Sequence, residues 1–123
     1  VGISLNILSL FFGMGLRNLI REYWSKEAIK KAEKKTVIEE KAWDGKSGVY
    51  YVDSEFGSNI QVVRLEKDED GKLDVFCSCV GYAKGGFCNH IFAVYLYLLG
   101  KGIDLTKDLK VWAEERKKVK KDE

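Results

Sequence analysis

The stretch "FCSCVGYAKGGFCNHIF", residues 76 to 92, holds every cysteine of this chain and its only histidine. Cys77, Cys79, Cys88 and His90 fall within fourteen consecutive positions of a chain of 123, in the paired spacing Cys-x-Cys and Cys-x-His. Two ordinary accounts compete with a metal site. Free cysteines often behave as small core hydrophobes. A disulfide is the other account, but it would leave one thiol over, and closing it between Cys77 and Cys79 would strain the backbone. Three thiolates and one imidazole, by contrast, complete a tetrahedral donor set for Zn²⁺, with bonds of about 2.3 Å to sulfur and about 2.0 Å to nitrogen. One structural Zn²⁺ per chain is the expectation. The odd cysteine count suits a reducing compartment better than a secreted disulfide framework, which predicts a cytoplasmic and, if DNA is the partner, nucleoid-associated protein.

The spacing also constrains the local structure. Residues two apart on a strand share a face, so a strand through "LDVFCSC" points Leu73, Val75, Cys77 and Cys79 the same way. Residues two apart on a helix diverge by about 200°. Cys88 must therefore precede the helix of "NHIFAVYLYLL", with His90 in its first turn, where free N–H groups and the positive dipole end favour a thiolate. Between the pairs, "VGYAKGGF" carries Gly81, Gly85 and Gly86, which predict a tight chain reversal. A metal here would pin the end of a hairpin to the start of a helix.

The rest of the chain supplies the surroundings. "GVYYVDSEF", "SNIQVVRLE" and "LDVFCSC" alternate β-branched and aromatic residues and are joined by Gly57 and the turn "KDEDGK", which predicts a three-stranded antiparallel meander. "TVIEEKAW" is a candidate fourth strand. "IFAVYLYLL" is nine apolar residues ending at Gly100, too short to span a bilayer and suited to a helix buried on most sides. Helical spacing of Leu16, Leu19, Ile20, Tyr23, Trp24, Ala28 and Ala32 predicts an amphipathic helix over 14–35, and Leu105, Leu109, Trp112, Ala113 and Arg116 predict a charged one within 103–123. The expected fold is a single small α+β domain: a zinc-stabilised antiparallel meander plus helix over 36–102, flanked by N- and C-terminal amphipathic helices. Residues 1–13 are apolar but lack the basic leading region of a secretory signal and fall short of the ~17 residues a spanning helix needs. They read either as a docked or frayed terminal segment or as a misassigned start, with Met14 the true one; membrane association is disfavoured.

The order strands, "CSC", short loop, "CNHIFAVYLYLL" resembles the SWIM-type zinc finger over roughly Gly48 to Leu99. That resemblance implies a strand-strand-helix unit whose four motif residues, here Cys77, Cys79, Cys88 and His90, bind zinc, and a role in binding DNA or protein. Where family members often carry proline and an acidic or aromatic residue after the second cysteine, this chain has "VGY".

Charge decides which partner to expect. Residues 1–35 carry seven basic and three acidic groups, residues 36–101 seven and ten, and residues 102–123 seven and six, which together give the chain's net charge of +2. The finger region is thus acidic, and a polyanion normally requires a basic surface. The expected nucleic-acid contacts are therefore Arg17, Arg21, Lys30, Lys31, Lys34 and Lys35 on the first helix, with Lys84 in the loop and Lys117, Lys118, Lys120 and Lys121 in the tail. Solvated lysine faces interleaved with glutamate are the ordinary alternative. The leading expectation is a non-catalytic, DNA-associated accessory protein. The second is an adaptor for a recombinase or another DNA-processing protein, with Trp24 or Trp112 as the anchor. An enzyme is not expected, because four protein ligands leave a zinc no open position and the single histidine is committed; nor is a small-molecule substrate.

Overall fold

The computed structural model describes residues 26–53, 60–85 and 87–122. The apolar segment 1–13, Arg17, Arg21, Trp24 and the first part of the expected N-terminal helix lie outside them. The remainder of that helix is α1 (Lys26–Glu33), which buries Ile29 and Ala32, three positions apart on one face. It ends where the N–H groups of Lys34 and Lys35 bond back three residues to Lys31 and Ala32.

Four strands follow, β1 (Thr36–Lys41), β2 (Ser47–Asp53), β3 (Ile60–Lys67) and β4 (Leu73–Cys77). They form one antiparallel sheet in the order β1-β2-β3-β4, so every strand pairs with its neighbour in sequence. The candidate strand "TVIEEKAW" is the edge strand β1, with a register shift between Glu39 and Lys41. Strict alternation sets the faces: Tyr50 and Val52, Val63 and Leu65, and Leu73, Val75 and Cys77 are buried, while their neighbours look outward. Register places Tyr50, Val63 and Cys77 side by side across the inner face. Burying side chains of this size stabilises the fold by about 1.5–3 kcal/mol each.

The "KDEDGK" turn closes as its residues require. The Asp68 carboxylate accepts the N–H groups of Asp70 and Lys72, and Gly71 adopts a φ of 80° that side-chain-bearing residues avoid.

Three further helices follow among the described residues, α2 (Val80–Gly85), α3 (Asn89–Gly100) and α4 (Thr106–Asp122). α3 crosses the inner face and touches all four strands, and α1 packs on α3. His90 to Tyr95 and Leu98 are all buried in α3, as its unbroken apolar run predicts. α3 stops in a Schellman arrangement: the N–H of Ile103 bonds to Leu98 O at 2.9 Å and that of Gly102 to Leu99 O at 3.0 Å, with Gly102 at a φ of 86°. α4 docks against β4 through buried Leu105, Leu109, Trp112 and Ala113. The molecule is thus α+β, with a four-stranded antiparallel sheet. No helix among the described residues is long and apolar enough to cross a membrane.

Candidate metal centre

Strand β4 ends at Cys77 because Ser78 turns its side chain into the ladder. Its N–H still donates to Val62 O at 3.0 Å, but the returning Val62 N–H donates to Ser78 Oγ, at 2.9 Å, in place of a backbone carbonyl. Cys79 is therefore off the strand, which corrects the expectation that both thiols continue one pleated face. It sits immediately before α2, and its Sγ accepts the Tyr82 N–H at 3.3 Å, the bond a capping side chain makes to the third residue of a helix.

The expected tight glycine reversal is thus a short helix, α2. Gly81 lies within it, against the site: a Cβ there would stand 3.5 Å from Cys88 Cβ and 3.8 Å from Cys79 Sγ, ordinary contact, so space does not demand glycine. After α2 the chain passes through Phe87 to Cys88, the N-cap of α3 in extended conformation. His90 is the second residue of that helix, as the spacing requires.

These elements bring the donor atoms of Cys77, Cys79, Cys88 and His90 within 4.8 Å of one another. The edges of a zinc–thiolate tetrahedron, given its bond lengths, are about 3.8 Å, so closure onto an ion needs about 1 Å of contraction. All three cysteines are free thiols. Cys77, Cys88 and His90 are buried, and Cys79 is half-buried.

Two features separate this cluster from a set of core thiols. Both ring nitrogens of His90 are buried and neither meets a partner at hydrogen-bonding geometry, although the ring lies within 4.8 Å of Cys88 Sγ and favours its thiolate; a buried polar group left so costs free energy unless something coordinates or bonds it. The thiols also divide their charge unequally. Cys88 is pulled down to about 4, first by the Cys77 S–H that bonds to it and, against the opposing effect of burial, by His90 and the Ile91 N–H. Cys77 is pushed up, first by donating that bond to Cys88 and then by burial. Burial likewise pushes up Cys79, opposed by the Tyr82 N–H. A metal would take the place of the shared thiol protons, holding three thiolates that each already have a backbone N–H nearby, from Cys79, Tyr82 and Ile91 respectively. The donor set fits a borderline-soft tetrahedral ion and leaves no ligand position for water once all four bind.

Lys30, Lys31 and Lys34 are exposed on and just beyond α1, Lys35 is half-buried, and Lys84 is exposed on α2. Trp112, a candidate interface anchor, is only 6% exposed. It packs edge-on to Phe87, with ring centroids 6.1 Å apart, so it braces the approach to Cys88 and is not offered to a partner.

Sequence reasoning missed Tyr82 and Arg116. The Arg116 guanidinium carbon lies 4.1 Å from the centre of the Tyr82 ring, and Nη2 donates to Tyr82 O at 3.0 Å. Arg116 was legible only as one more position on the apolar stripe of α4. Tyr82 follows Cys79 by the three residues a capping bond needs, which is the one signal that marks it.

No protein-family model, no curated protein and no solved structure matches the chain.

Proposed function

We propose that the protein is a non-catalytic zinc module of SWIM-like type that serves as a DNA-associated accessory factor. One Zn²⁺ is held by Cys77, Cys79, Cys88 and His90. The observation that carries this is the convergence of all four donor atoms within 4.8 Å, together with two buried imidazole nitrogens that nothing else satisfies. Four protein ligands close the coordination sphere, which argues against metal-activated water chemistry, and the chain's one histidine is among them, which leaves no spare histidine for acid–base work. An odd cysteine count whose three thiols all serve as candidate ligands supports a reducing compartment, the cytoplasm, as its setting.

A second reading, a protein adaptor, has an observation of its own. The outer face of the sheet presents Ile38 at 50% and Ile60 at 51% exposure, with Tyr51 and Val62 between them in the register.

Native mass spectrometry checks the metal: one zinc per chain is expected, lost in Cys79→Ser and His90→Ala. A salt titration of single-stranded and duplex DNA binding then separates the two readings. Accessory binding to DNA predicts a steep loss of affinity between low and physiological salt. Absence of DNA binding by the zinc-loaded protein would leave the adaptor.

A further inference from the structure

The lysines of α1 alternate with Glu27 and Glu33, and the finger as a whole is acidic. The fold nevertheless gathers a different cationic surface that no stretch of sequence announces. Where the outer face of β3 and β4 meets α2 and α4, four side chains from four elements form a continuous ladder. The Arg64 guanidinium carbon lies 4.8 Å from the centre of the Phe76 ring. Phe76 meets Tyr82 edge to face, with centroids 5.4 Å apart at 65°. Arg116 closes the ladder over the far ring at 4.1 Å.

Phe76 is 37% exposed, and Arg64 is exposed and makes no ion pair among the described residues. Glu115, next to Arg116 on α4, is paired with Lys72 at 3.0 Å. Glu66 and Asp74, opposite each other in the register, lie one step further along the outer face from Arg64 and Phe76 and bound the surface on that side.

The geometry points to this ladder as a platform for unpaired nucleic acid, with the backbone phosphates drawn to Arg64 and a base stacked on the aromatic and guanidinium planes. This deepens the DNA-associated reading above and rests on it. Charge complementarity selects a polyanion. The exposed Phe76 ring selects a single strand, since every unpaired base offers a face for stacking whereas duplex bases do not. An acidic protein segment would use the cations and leave the rings idle. Arg116 is a positioning residue: its guanidinium is already engaged by Tyr82, whose N–H is in turn bonded to Cys79 Sγ. The ladder is thereby tied to the metal centre.

The test is fluorescence anisotropy of the zinc-loaded full chain with a labelled oligothymidine of about 20 nucleotides and a duplex of equal length at low salt. The single strand should bind more tightly, and Arg64→Ala and Phe76→Leu should each weaken it about tenfold. Arg64→Lys should recover only part of the loss, because it restores charge without a plane. Replacing Lys30, Lys31 and Lys34 together by alanine should cost less than about threefold. Loading with Co²⁺, read by its thiolate absorption, verifies that each variant keeps its centre. Should Phe76→Leu fail to load, Arg64→Ala, at an exposed position, decides alone. Wild-type binding that ignores both ladder substitutions would overturn the platform and leave the DNA-associated function standing. Equal affinity for the duplex would overturn the stacking role. If neither oligonucleotide binds, both proposals fall. If a polyglutamate peptide binds instead, with sensitivity to Arg64→Ala and none to Phe76→Leu, the surface is an acidic-protein site.

Discussion

Tyr50 is fully buried at the centre of the sheet, and its hydroxyl accepts the Trp43 N–H at 2.9 Å. That bond holds the ring over Gly48, two residues back on the same strand face. A Cβ at Gly48 would lie 2.9 Å from the Tyr50 ring and 3.3 Å from the Trp43 Cα. The ring cannot swing away without breaking its hydrogen bond, and the backbone of Trp43 cannot yield cheaply. Gly48→Ala should therefore destabilise the protein by about 1–3 kcal/mol, measured as a lowered denaturation midpoint with the metal content unchanged. At this scale the sequence is an uneven guide. The four candidate ligands are legible because chemistry fixes their types and spacing. Gly48 is not, because its need comes from a ring that arrives only when the strand is pleated.

Among the elements, α3 was the most legible and α2 the least. α3 announces itself by an apolar run longer than a strand wants and by the glycines after it. Its Schellman stop relies on Gly102 at a φ of 86°, so Gly102→Ala should cost about 1 kcal/mol, visible as a lower thermal midpoint. α2 has only six residues, and its sequence with two glycines reads as a turn. It becomes helical because Cys79 caps its first turn and Arg116, 34 positions away, grips the Tyr82 carbonyl. Neither partner can be read from local propensity. The end of β4 was missed for a similar reason: Ser78 keeps one ladder bond with its backbone and takes the other with its side chain, which no alternation pattern encodes.

For the whole molecule, the candidate centre sits where the sheet, α2 and the start of α3 meet. Cys77 belongs to the sheet's inner face and Cys88 opens the helix that covers it, while Cys79 and Tyr82 lead to α4. Removing a structural zinc from such a junction forfeits on the order of 10 kcal/mol, comparable with the entire stability of a domain of this size. Chelation should therefore lower the thermal midpoint drastically and abolish cooperative unfolding, as followed by circular dichroism and calorimetry. An unchanged midpoint would exclude the metal from the fold. The overall class was legible because alternating and apolar runs divide cleanly along the chain. The aromatic and guanidinium ladder was not, because Arg64, Phe76, Tyr82 and Arg116 meet only through strand register and the docking of α4.

The sequential strand order carries a consequence for time as well as space. Only eight residues separate Cys79 from Cys88, and a loop of about ten residues closes in roughly 10–100 ns. In the unfolded chain the two ligand pairs therefore meet long before a sheet can assemble. A zinc ion bound by these candidate ligands would be captured first and would hold the 76–92 stretch as a seed, onto which β3, β2 and β1 would add in reverse order of synthesis, each a neighbour of the strand already in place.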